Sequence, residues 1–302
     1  MCIPIPLPYA VLVDTPYGSE PLAIWERPEP QPRAAPVPLS RAKIVAVAIR
    51  LADEQGLDGL SIRKIAKELG VGPMRLYDYV TNRAELLDLM VDAVYGQIAD
   101  ASGQTAQTGG RAAETGGQRV EAGGRAAETG GQRVETGGRA AGAGRRRVAG
   151  AGEQAEWRAT VLAVARATRV AALEHEWFAD LLGGRPHLGP HTLAVGELNA
   201  AALSQAPAVH DIDDLQRTIG ALNSFLIGAL RREVTERRTA RTTGTDVPAF
   251  QAGLGPYLTR MFTTGRYPTI ARLVVDGSHL DAEETFNRTL TTVLDGITGA
   301  PA

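Results

Sequence analysis

Cysteine is almost missing: Cys2 is the only one in 302 residues, so neither an intrachain disulfide nor a cysteine metal cluster can form. Aromatic residues make up only 5% of the chain, which leaves the core to Leu, Val, Ile and Ala. No stretch approaches the roughly 18 consecutive apolar residues of a membrane-spanning helix. The opening MCIPIPLPYAVLVDTP has no basic start and is broken by prolines, unlike a signal peptide. An excess of either charge is absent too. A net charge of −2 excludes attachment to DNA or membrane by bulk charge, so any nucleic-acid contact must be local. Catalytic signatures are also lacking, with no G-x-S-x-G, no P-loop and no H-E-x-x-H in the sequence. The expectation is a cytoplasmic protein that is not an enzyme and carries no cofactor.

What is present divides the chain into four parts. Residues 1–38 hold ten of the 18 prolines, which remove backbone donors and disfavour helix, so a mobile arm is expected, with a short strand at Tyr9–Val13 and docking of Trp25 as the alternatives. From Leu39 helical periodicity begins, with Ser40 as N-cap and Gly56 as the stop of a first helix. Ser61 caps a second helix ended by Gly70, Pro73 opens a third over 73–80, and Thr81 or Asn82 caps a longer linking helix to about Ala99. Residues 101–152 carry a fourteen-residue repeat, GGRAAETGGQRVEA, with one Val per unit and no large apolar residue. Such a unit cannot offset its ordering entropy, so 101–152 is expected to be a disordered insertion. Helical patterns return over 153–302, and no segment after Leu39 reads convincingly as a strand. The expected fold is all-α, an N-terminal helix-turn-helix domain (39–100) followed by a helical ligand-binding and dimerisation domain (153–302).

The segment SIRKIAKELGVGPMRLYDYV, residues 61–80, has the helix, glycine turn and short second helix that place a side-chain array in a DNA major groove. Basic residues gather here: Arg63, Lys64, Lys67, Arg75 and Arg83 face only Glu68 and Asp78. Over 39–99 eight basic and eight acidic residues cancel, so the positive charge is local to the motif. These residues, with the preceding LSRAKIVAVAIRLADEQGLDGL and the following TNRAELLDLM, resemble the tetracycline-repressor (TetR) family of bacterial transcription regulators. The resemblance implies double-stranded DNA as partner, with Ser61, Arg63, Lys64, Met74, Arg75, Tyr77, Tyr79 and Arg83 at the interface. Arg63 and Arg75 would read base edges, Tyr77 and Tyr79 would reach phosphates, and Ser61 and Arg83 would hold the backbone in register. Asp78 departs from the basic residue many relatives carry.

The C-terminal half, with LLGGRPHLGPHTL and a long helix near 212–238, resembles the ligand domain of the same family. That resemblance implies a homodimer built through Leu222, Phe225, Leu226, Phe286, Leu290, Val293 and Leu294, and a near-palindromic operator. The effector is expected to be an apolar or aromatic small molecule held by His175, Trp177 and Leu181. In the tetracycline-binding member the position of Leu181 carries a magnesium-ligating histidine, which leucine cannot replace. His187-x-x-x-His191 has metal-like spacing, but Leu188-Gly189-Pro190 interrupts the helix such a pair requires, so a capping or solvent-facing role is expected and no metal. The resemblance thus implies a ligand-responsive repressor that binds its operator as a dimer and is released by a small-molecule effector. Two other readings are carried: an activator or global regulator without a ligand, and a ligand-sequestering protein whose DNA domain has decayed.

Overall fold

Ser40 stops the chain from extending and starts the first helix, its hydroxyl accepting the Lys43 amide at 3.3 Å. Helix α1 (Arg41–Gln55) buries Ile44, Val45, Ala48, Leu51 and Ala52, a stripe at helical spacing. Ser61 repeats the same cap for α2 (Ile62–Glu68), accepting the Lys64 amide at 3.3 Å. Gly70 then takes φ of 66°, a left-handed conformation that a side chain would strain, and turns the chain into α3 (Pro73–Tyr77). Asn82 Oδ1 accepts the Glu85 amide at 2.9 Å and opens α4 (Arg83–Gly117). In this computed structural model residues 23–30, 38–117 and 151–298 are described, with side chains described in all of them except 104–117 and 151–155.

The remaining helices are α5 (Ala151–Glu174), α6 (Glu176–Leu181), α7 (Pro190–Leu203), α8 (Ile212–Thr243), α9 (Val247–Thr263), α10 (Pro268–Val275) and α11 (Ala282–Thr298), and the described residues contain no strand. The all-α expectation holds. Helices α4, α5 and α7 pack on one another, α8 pairs with α11, and α6 lies between α1 and α8. One continuous apolar cluster runs from Ile44 in α1 through Val91 in α4 to Leu290 in α11, so the short N-terminal helices are anchored on the same core as the body.

Three expectations need correction or restriction. Helix α4 does not end near Ala99; it runs on through Gly117, inside the first repeat. A nucleated helix propagates at little cost through Ala, Gln, Arg and Glu, and the repeat supplies these between its glycines. The expected disorder of the repeat beyond 117 lies outside the described residues, as does the strand at Tyr9–Val13. The arm, however, is docked over 23–30, where Ile24 is 3% exposed and Trp25 is half-buried. Finally, Leu222, Leu226, Phe286, Leu290 and Leu294 are buried within a single protomer, where they join α8 to α11. Phe225 and Val293 are half-buried, with Phe225 stacked on Phe286 at 5.9 Å. These stripes are the intrachain seam between the two helices, so the outer faces of α8 and α11 are what remains open to a second copy.

Candidate DNA-reading site and its junction with the body

Helix α3 is five residues long and presents its apolar side inward through Leu76, which is fully buried. Its other side carries Met74, 77% exposed, and Tyr77, 43% exposed, with Arg75 half-buried between them. Arg63 and Ser61 are exposed at the start of α2, and Lys64 beside them donates to Gln55 Oε1 at 2.8 Å. Arg83 is exposed at the start of α4 and donates to the Leu57 carbonyl at 2.8 Å, closing the loop after α1. Seven of the eight residues expected at DNA therefore keep surface available to it.

Tyr79 does not. It is 3% exposed and its hydroxyl donates to the Leu39 carbonyl at 3.1 Å. In the helix expected over 73–80, two residues turn the side chain by about 200°, so Tyr77 and Tyr79 cannot share a face; in the structure Tyr79 lies in the turn just after α3. That spacing was the signal available in the sequence. Tyr77 is the member of the pair that faces solvent.

The residues expected to hold an effector are arranged differently from the expectation. His175 and Trp177, at the corner between α5 and α6, are 5% and 2% exposed. The Trp177 indole donates to Asp53 Oδ1 at 2.7 Å, and His175 Nδ1 lies 2.9 Å from the same oxygen. His175 Nε2 lies 3.1 Å from Gln97 Oε1 on α4. Both side chains are therefore committed to fastening the body onto the last turn of α1. Leu181 borders a cleft of about 30 Å³ shared with Val91, Tyr95, Phe178 and Thr192, while Trp177 borders an open, charged cleft of about 760 Å³ with Asp53, Glu174, Glu176, Arg238 and Arg241. Another cleft, of about 290 Å³, opens between α4 and α5, walled by Ile98, Ala163, Ala167, Val170 and Ala171, with Gln97 at its edge.

Two further histidines tie the body to α4. His187 Nδ1 lies 2.6 Å from Asp88 Oδ1, and His191 Nδ1 lies 3.0 Å from Asp92 Oδ2. Asp92 is 5% exposed and its other oxygen accepts both the amide of Thr192, at 2.9 Å, and its hydroxyl, at 3.0 Å. One carboxylate from α4 thus caps the positive end of α7. The H-x-x-x-H spacing pairs with the D-x-x-x-D spacing at Asp88 and Asp92, and each imidazole meets its own aspartate. Gly189 permits the approach: a Cβ there would lie 2.2 Å from Asp92 Cγ. Asp53, Asp88, Asp92 and Gln97 were not singled out from the sequence, although the matched four-residue spacings of the histidines and aspartates were visible in it.

At the N-terminal end of α6, between His175 and Trp177, Glu176 accepts from Arg238 and Arg241 of α8, with Arg241 Nη1 at 2.8 Å. Burial raises the Glu176 carboxyl, but hydrogen bonds from Arg241 and Arg238 outweigh it and hold the group below its ordinary value.

Residues 44–90 match the model described as "Bacterial regulatory proteins, tetR family", and residues 149–300 match "Tetracyclin repressor-like, C-terminal domain". The chain is 28% identical over 274 residues to the HTH-type transcriptional repressor DrrR1 of Streptomyces coeruleorubidus, covering 91% of this chain and 83% of that one. It is 29% identical over 213 residues to an HTH-type transcriptional regulator of Saccharopolyspora erythraea, covering 70% of this chain and 68% of that one. Apo ActR from Streptomyces coelicolor shares the fold with a TM-score of 0.59 at 22% identity, over 88% of this chain and 97% of that one. ActR has also been solved in complex with actinorhodin, and that structure matches with a TM-score of 0.57 at 24% identity, over 88% of this chain and all (100%) of that one. The chain belongs to the tetR family of bacterial regulatory proteins, which are DNA-binding transcription regulators and not enzymes.

Proposed function

We propose that this chain is a dimeric repressor that holds a near-palindromic operator and lets it go when a small apolar or aromatic molecule binds between α4 and α5. The observation that carries the reading is the chain of contacts Gln97–His175–Asp53. Gln97 borders the cleft of about 290 Å³, and its carbonyl oxygen meets His175. His175 in turn meets Asp53, on the last turn of the helix that precedes the DNA-reading pair. A ligand that displaces Gln97 acts on a polar cluster that joins α4, the α5–α6 corner and α1. Tilting α1 moves α3, and two recognition helices out of step no longer fit successive grooves. The name of DrrR1 supports repression, and the actinorhodin complex of ActR supports a small-molecule site in this fold.

A regulator without a ligand is favoured by one observation, the closed state of the cleft at Leu181, whose 30 Å³ or so accommodates little more than a water. The two readings separate in one experiment. Random duplex DNA is enriched on the purified protein near physiological salt, and the selected site is then challenged with a library of apolar and anionic small molecules. A palindromic site lost in Arg75→Ala and released by an aromatic compound, with release abolished in Gln97→Leu, meets the proposal. Release by no compound, or equal release in Gln97→Leu, overturns the effector site and leaves the ligand-free regulator.

A further inference from the structure

We infer that residues 23–30, outside the helices that make up the DNA-binding domain, are a strap that sets the pose of the recognition helix, with Arg27 and Arg41 as positioning residues. Helix α3 spans only Pro73–Tyr77, too short to hold its own orientation, yet base reading requires its side chains to be placed within a fraction of an ångström. The chain leaving it is pinned at three points. The Tyr79 hydroxyl donates to the Leu39 carbonyl at 3.1 Å. The Tyr79 carbonyl accepts from Arg41 Nε at 3.2 Å. The Thr81 amide donates to Glu85 Oε2 at 2.8 Å.

Two of these pins run through the strap. Arg41 spends the rest of its guanidinium on strap carbonyls, Nη1 on Arg27 at 2.6 Å and Nη2 on Pro28 at 3.2 Å. Its own backbone amide donates to Glu29 Oε1. The Glu85 oxygen that takes the Thr81 amide also takes Arg27 Nη2 at 2.7 Å. The strap is itself shaped and anchored: the amides of Glu26 and Arg27 both donate to the Ala23 carbonyl, and Ile24 is 3% exposed. One planar guanidinium thus clamps residues 27 and 28 to residue 79, with three donors in fixed geometry. Lysine cannot reproduce that fork.

The inference rests on the family's DNA binding, not on the identity of the effector, and its first readout needs no operator. Amide hydrogen exchange of residues 74–82 is followed in the full-length, DNA-free protein. In Arg27→Glu and in Arg41→Lys exchange there rises about tenfold, while α7 and α8 keep the wild-type rate. On the DNA selected by the wild-type protein, both single variants bind about tenfold more weakly, with circular dichroism unchanged at 20 °C or so. Wild-type exchange at 74–82 in both singles overturns the strap as a positioning element. A lowered Tm with unchanged operator affinity does the same, leaving it a brace for stability alone. Arg41→Lys keeps the charge, so it remains informative if Arg27→Glu fails to fold. Wild-type protein that selects no DNA refutes the repressor reading, while the exchange result still decides the strap.

Discussion

Tyr77 and Tyr79 differ by two positions and by everything else that matters to DNA. The buried Tyr79 hydroxyl satisfies Leu39 O, so Tyr79→Phe leaves that carbonyl without its donor and lowers stability by about 1 kcal/mol. Tyr77→Phe removes an exposed hydroxyl and changes stability by less than about 0.5 kcal/mol. The order reverses on DNA, where Tyr77→Phe weakens the selected operator several-fold. Urea unfolding and fluorescence anisotropy on the same pair check both halves; a Tyr79→Phe protein that loses DNA contact without losing stability contradicts the assignment. The sequence showed the candidate readers Arg63, Met74 and Arg75 openly, because a helix-turn-helix is local in the chain. It hid Asp53 and Gln97, because a junction is made by residues that sit 44 positions apart and come together on His175, far downstream.

Helix starts were legible because caps are local chemistry: Ser40, Ser61 and Asn82 each accept an amide from their own first turn. The cap of α7 was not, since its acceptor is Asp92, one hundred residues away on α4. Gly189→Ala tests that cap. The new methyl collides with the Asp92 carboxyl, and the variant loses about 1–3 kcal/mol, as does Asp92→Ala. Because both act on one contact, the double variant costs little more than the worse single, and additive losses measured by urea unfolding defeat the shared-cap account. The α6–α8 seam gives a pH signature. Glu176 has a depressed carboxyl, so its stabilising contribution is full above its ordinary value of about 4.5 and is lost as pH falls through the lower folded value. The melting temperature of the wild-type protein therefore drops between about pH 5 and pH 3 more steeply than that of Glu176→Gln. Parallel curves would assign the acid loss to other carboxylates.

Helices α9 and α10 bury no residue within one protomer, although Phe250, Leu254, Tyr257, Ile270, Leu273 and Val275 all lie along them. Leu273 and Val275 are 68% and 73% exposed, and a soluble monomer seldom leaves so large an apolar surface in water. The α8–α11 seam consumes the apolar stripes first expected at the dimer contact, which leaves the outer faces of those helices small, with Gly220, Ser224 and Gly228 in one row. Close packing of two copies along α8 and α11, with α9 and α10 laid on the partner, would cover both kinds of surface in one two-fold interface. Sedimentation velocity on the wild-type chain then gives a dimer of about twice 31.9 kDa at micromolar concentration. Phe250→Ser with Leu273→Ser keeps the helical circular dichroism, because neither side chain supports its own protomer's core, and shifts the population toward monomer. Operator affinity falls with it, since each half-site alone forfeits the coupling of two recognition helices through one scaffold. A wild-type monomer with full operator affinity would place α9 and α10 against some other surface and remove the two-fold from the account of DNA binding.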